Sequence, residues 1–166
     1  GDNWIQTATP LPLRRCTRPS LNLCFVAGGY DLLKSTDRGF TWIRHPISDD
    51  HYFMTVSFAD TLNGMASAVL GPQGKIFRTF DGGETWNQIS SIQGHSIYDV
   101  CFVDSTTAYA CSGSTKVFKT TDGGYSWTLQ ETGVSGTILY GIHFVNEEVG
   151  YTVGYPGKVI KTTNGG

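Results

Sequence analysis

The sequence predicts an all-β chain, a propeller of four four-stranded blades, and three observations carry that prediction. A nine-residue turn sequence occurs three times, and its first six residues a fourth time, at nearly constant spacing. A short strand with alternating polarity recurs upstream of three of the copies. The composition, with 21 glycines, 13% aromatic residues and only 16% charged residues, suits short strands and tight turns with little helix.

The turn sequences are Lys34-Ser-Thr-Asp-Arg-Gly-Phe-Thr-Trp42, Arg78-Thr-Phe-Asp-Gly-Gly-Glu-Thr-Trp86, Lys119-Thr-Thr-Asp-Gly-Gly-Tyr-Ser-Trp127 and Lys161-Thr-Thr-Asn-Gly-Gly166. Asp37, Asp81, Asp122 and Asn164 follow one another by 44, 41 and 42 residues, the period of a four-stranded blade. Each Asp is expected to accept hydrogen bonds from nearby backbone N–H groups. Gly39, Gly83 and Gly124 supply positive φ, and Trp42, Trp86 and Trp127 supply large apolar faces to pack between sheets. One acid per blade, each in its own turn, cannot converge into a metal or acid–base site, so these residues are read as structural.

Upstream, Val56-Ser-Phe-Ala-Asp60, Val100-Cys-Phe-Val-Asp104 and Ile142-His-Phe-Val-Asn146 read as half-buried first strands entering a hairpin. A second strand, a glycine-containing loop and a third strand lead into each turn sequence, and a fourth leaves from the tryptophan. The blades are placed at about 9–47, 48–90, 91–132 and 133–166. The last unit stops before its tryptophan, and Asp2-Asn3-Trp4 restores the missing half at the right offset. Residues 2–8 are therefore expected to close the last blade, with Trp4 as its tryptophan and no free sheet edge left. A rival geometry has two chains complete one another's last blades in a larger ring, so a monomer and a ring-completing homodimer are both expected forms.

The balance of 12 basic and 14 acidic side chains does not suggest a nucleic-acid binder. No apolar run is long enough to span a bilayer, so no membrane insertion is expected. No basic region followed by an apolar stretch opens the sequence, so no signal peptide is expected. Cys16, Cys24, Cys101 and Cys111 match neither a zinc ribbon nor a redox pair; disulfides stay open, and free, buried thiols are the preferred reading. His45, His51, His95 and His143 show no metal-ligand spacing. Aligned Ser57, Cys101, His143 and Cys16 form a weak soft-metal ring for which packing is the better account. No metal, no cofactor and no catalytic residue is assigned.

The pattern Ser/Thr–x–Asp–x–Gly–x–Thr/Ser–Trp resembles the Asp-box, or BNR repeat, of sialidases and related propellers. The fuller pattern over 102–127 and 145–166 looks most like the photosystem II assembly/stability factor family. That resemblance implies a non-enzymatic scaffold for protein–protein interaction or complex assembly, often outside the cytoplasm. The alternative is a carbohydrate-binding or degenerate sialidase-like propeller. Sialidase chemistry needs clustered arginines, a tyrosine nucleophile and facing carboxylates. Here Arg14, Arg15 and Arg18 crowd one segment, and no carboxylate pair is evident.

Contact residues are expected in the loops at one end of the blades: Tyr30, His51, Tyr52, His95, Tyr98, Tyr140 and Tyr155. Arg14, Arg15 and Arg18 could receive an acidic partner segment. Arg15 aligns with apolar Val56, Val100 and Ile142, so the first strand is expected to be either shifted by one residue or locally exposed.

Overall fold

A computed structural model describes residues 12–47, 50–71 and 73–166. Among the described residues fifteen antiparallel strands form four sheets in sequence order. Blade 1 holds β1 (Leu13–Thr17), β2 (Cys24–Gly28), β3 (Asp31–Ser35) and β4 (Ile43–Pro46). Blade 2 holds β5 (Tyr52–Phe58), β6 (Gly64–Leu70), β7 (Gln73–Thr79) and β8 (Asn87–Ile92). Blade 3 holds β9 (Ile97–Phe102), β10 (Ala108–Ser112), β11 (Val117–Thr120) and β12 (Thr128–Gln130). Blade 4 shows β13 (Ile138–Phe144), β14 (Gly150–Tyr155) and β15 (Lys158–Thr162). Strand β8 runs two residues past the expected blade boundary at 90. Trp4 and the closing strand expected over 2–8 lie outside the described residues.

All four turns form as the repeat dictates. The hydroxyl of Ser35, Thr79, Thr120 or Thr162 donates to Oδ1 of Asp37, Asp81, Asp122 or Asn164, and accepts from the N–H of Gly39, Gly83, Gly124 or Gly166. In the first three turns the aspartate also accepts from the backbone N–H and hydroxyl of Thr41, Thr85 or Ser126. The Thr41 and Ser126 hydroxyls lead the contacts that hold Asp37 and Asp122 at a pKa of about 2. At Asp81 partial desolvation opposes the effect, and the Thr85 and Thr79 bonds together overcome it, again giving about 2.

The apolar core lies between blades, in three wedges. Phe25, Leu32, Phe53, Val56 and Phe77 fill the first, with Trp86 against it. Met65, Ile76, Ile97, Val100 and Phe118 fill the second, with Trp127 against it. Tyr109, Val117, Leu139, Ile142 and Phe144 fill the third. Thus Trp86 and Trp127 pack backward onto the preceding blade. Gly83 shows why glycine is needed in these turns. Its φ is +78°, and a Cβ there would lie 2.5 Å from the Phe25 ring of blade 1.

Each box also begins with a cation, and in the first three boxes it reaches forward. Lys34 Nζ donates to Gly82 O at 2.7 Å, Arg78 to Ser105 O at 2.8 Å and Lys119 to Gly165 O at 3.4 Å. Lys161 lies over Tyr151 of its own blade. The far face of blade 4 stays open: Val159 is 73% exposed, whereas its equivalents Leu32, Ile76 and Val117 are 6% exposed or less. Strands β1 and β13 lack the close backbone packing of consecutive inner strands.

All four cysteines are free, as preferred, but only Cys111 is buried; Cys16 is exposed, and Cys24 and Cys101 are half-buried. Among the described residues no helix could cross a bilayer, and no cluster of three or more His, Cys, Asp or Glu side chains could hold a metal ion.

Candidate functional site

The four inner strands carry the same irregularity. Each has a bulge against its neighbour, at Arg14 in β1, Met54 in β5, Tyr98 in β9 and Tyr140 in β13. A bulge leaves one residue out of the ladder and re-aims its side chain. Here it gathers Arg14, Met54, Tyr98 and Tyr140, together with Arg15, around a shallow cavity of about 200 Å³ at one mouth of the blade arrangement. The Tyr98 and Tyr140 rings stack with centroids 5.7 Å apart and planes within 6°. The Arg14 guanidinium lies 5.1 Å over the Tyr52 ring, and Tyr30 meets Tyr52 edge-on at 5.9 Å.

Beneath this mouth lies Asp99. It is buried, and contacts from the other three blades converge on it. Thr55 Oγ1 of blade 2 donates to Oδ1 at 2.8 Å, and the Ile142 N–H of blade 4 donates to Oδ2 at 3.0 Å. Arg15 of blade 1 donates to the same Oδ2 in a salt bridge. Desolvation pushes the Asp99 carboxyl above its ordinary range, and Arg15, Ile142 and Thr55 pull it back only in part. Gly141 makes room for the arginine: a Cβ there would stand 3.1 Å from the guanidinium. Arg15 is thereby fixed with its charge at the floor of the mouth.

The expected one-residue shift in the first strand is present. Arg15 pairs with Ala27 and so occupies the position of Thr55, Asp99 and Gly141, while Cys16 takes that of Val56, Val100 and Ile142. The proposed ring of Ser57, Cys101, His143 and Cys16 is corrected accordingly, because Thr17 is the fourth member. Within it Cys101 Sγ stands 4.0 Å from His143 Nδ1, with its thiol pKa raised by burial.

The predicted contact residues separate into groups. Arg14, Arg15, Tyr30, Tyr52, Tyr98 and Tyr140 cluster as described. Arg18 does not join them, since it lies past the opposite end of β1 and donates to Ser20 O and Leu21 O of its own loop. His95 bonds Ser114 and tilts against Phe118, and His51 meets Phe77 edge-on. Tyr155 is exposed at the end of β14, two thirds of its surface open. Sequence reasoning missed Met54, Thr55 and Asp99. An acid flanked by Tyr98 and Val100 on an inner strand was the available signal.

Residues 87–163 match the family model described as photosynthesis system II assembly factor YCF48. Among solved structures the chain is similar to YCF48 from Cyanidioschyzon merolae, at 20% identity and a TM-score of 0.72 over 90% of this chain and 50% of that one. It is also similar to a YCF48 bound to D1 peptide, at 17% identity and 0.67 over 95% of this chain and 67% of that one. The Niastella koreensis GH74 enzyme matches at 15% identity and 0.73, over 93% of this chain and 28% of that one. No curated protein matches. The chain spans half the length of the Cyanidioschyzon merolae structure, and at these identities the structural likenesses establish the fold. The four boxes, their wedge cores and the structural likenesses together make the chain an Asp-box β-propeller in fold, and residues 87–163 are the part similar to the YCF48 family model.

Proposed function

We propose that the chain is a non-enzymatic propeller scaffold that binds an acidic segment of a protein partner at the mouth formed by Arg14, Arg15, Met54, Tyr98 and Tyr140. The observation that carries this reading is the set of four aligned bulges. They place a cation and three large side chains on one rim, above an arginine whose position is fixed by Asp99. Guanidinium groups offer bidentate bonds to carboxylates, and tyrosine and methionine offer apolar area at low ordering cost. A YCF48 structure holds D1 peptide, which supports a peptide ligand here. A location outside the cytoplasm follows from the family resemblance and is part of the proposal.

A second reading has one observation in its favour: the parallel Tyr98–Tyr140 pair is an aromatic platform, and GH74 propellers share the fold. Titration calorimetry separates the two, with acidic aromatic-containing peptides and xyloglucan oligosaccharides as probes. Peptide binding that weakens with salt, and by about tenfold in each of Arg14→Ala and Tyr98→Ala, supports the scaffold reading. Binding of the oligosaccharide alone replaces it with the second.

A further inference from the structure

We propose that Asp99 couples the mouth to pH: an acidic ligand that binds Arg15 loads one proton from solvent onto the Asp99 carboxylate, so the site holds anions more tightly as pH falls. This rests on the binding reading above and gives that site its regulation.

Arg15 stands between two places for an anion. Its guanidinium donates to Asp99 Oδ2, and the same side chain lines the mouth with 44% of its surface exposed. Asp99 is buried, so water and salt screen its charge poorly. While Asp99 is ionised the two charges cancel, and Arg14 alone gives the mouth its excess of positive charge. A ligand carboxylate on the exposed side of Arg15 shares that guanidinium with Asp99, and two anions then face each other across one cation. Like charges so placed disfavour the doubly ionised state, and the proton goes to the less solvated of the two. That is Asp99, whose carboxyl desolvation already lifts above its ordinary range.

The bonds around Asp99 accept the proton without rearrangement. Placed on Oδ1, it reverses the contact with Thr55: the carboxyl O–H donates, and the hydroxyl oxygen accepts. Oδ2 goes on accepting from Arg15 and from the Ile142 N–H. The neighbouring elements bring few competitors for this role. Strand β1 brings Arg14 and Arg15, which supply charge rather than protons. Strand β5 brings Met54 and Thr55, and β6 carries no titratable side chain. Cys111 of β10 pairs with Asp99 across the ladder, and Cys101 follows on β9; burial raises both thiols and keeps them neutral. Tyr98 and Tyr140 stand at the rim. His143 of β13 lies beside Cys101, two residues further along the inner strands.

The test needs a probe whose own charge is constant. A peptide carrying cysteic acid, a sulfonate, next to tyrosine is titrated into the full chain by calorimetry between pH 8 and pH 4. Affinity is expected to rise by about tenfold over that range. Heats measured in two buffers of different ionisation enthalpy are expected to show uptake of a fraction of one proton per chain. Asp99→Asn is expected to bind at pH 8 as tightly as the parent does at pH 4, and to take up no proton. His143→Gln is expected to keep both the uptake and the pH dependence. The uptake by the parent is decisive whatever Asp99→Asn does to folding. Equal affinity at both ends of the range without uptake would overturn the proposal and leave the binding reading standing. So would a pH dependence that survives in Asp99→Asn or disappears in His143→Gln. Absence of binding at every pH would remove both.

Discussion

Replacing Asp99 by alanine tests whether one carboxylate holds the four inner strands together. The substitution strands the buried Ile142 N–H and the Thr55 hydroxyl, which now donate to it at 3.0 and 2.8 Å. A buried donor left without a partner costs about 1–3 kcal/mol, so the two together cost about 4 kcal/mol. Part of that is recovered, because burying the carboxylate is itself unfavourable: its pKa lies above the ordinary value of 3.8 through desolvation. The net loss is then about 3 kcal/mol. With a urea m-value of about 2 kcal/mol/M the midpoint falls by about 1.5 M, which the fluorescence of the tryptophans reports. Asp99→Asn keeps the shape and one acceptor and loses about 1–2 kcal/mol. An alanine variant within about 0.5 kcal/mol of the parent, or an asparagine variant less stable than alanine, would refute the convergence.

Gly83→Ala meets both a positive φ and the Phe25 ring, so it should lose about 2–5 kcal/mol. Gly94→Ala, at φ +72° with nothing within 4 Å, isolates the backbone part at about 1 kcal/mol, and urea titration of the pair reads the difference. Stability should also depend on acid. Asp37, Asp81, Asp104 and Asp122 titrate near 2 when folded and near 3.8 when unfolded, so their stabilisation is complete above about pH 4 and is lost as pH falls to about 2. Asp99 acts in the opposite sense: its raised pKa favours the fold most below 3.8 and progressively less as pH climbs past that value. Denaturation at pH 5, 4, 3 and 2 should therefore show a steep net fall below 4, and a flat profile would contradict the box bonding.

The blades were legible because the box is local chemistry repeated. Ser or Thr, Asp and Gly within five residues satisfy one another wherever they occur, and the spacing between copies then counts the blades. The mouth was only partly legible. Tyr98 and Tyr140 were expected at one end of the blades and Arg14 as a partner contact, but bulges add a residue without altering composition, so nothing marked Met54 as sharing their rim. The one-residue offset at Arg15 was visible as an arginine where apolar residues were due, but its partner two blades away was not. Asp99 lies 84 residues from Arg15, and nothing local to either announces the pair. Arg18 was grouped with its neighbours by sequence, although β1 ends at Thr17 and carries it past the opposite end.

The forward-reaching cations give the blade series a polarity. Lys34, Arg78 and Lys119 each fasten their own blade to the turn of the one after it, and Lys161 has only Tyr151 beside it among the described contacts. Among the described residues, blades 2 and 3 are thus held from both sides, whereas blades 1 and 4 each take part in one such grip. In a nearest-neighbour array of this kind, opening starts where one grip is missing and runs back along the series. Amide exchange should accordingly be graded, faster in the strands of blades 1 and 4 and slowest in those of blades 2 and 3, as a zip fastener parts from its unclasped ends.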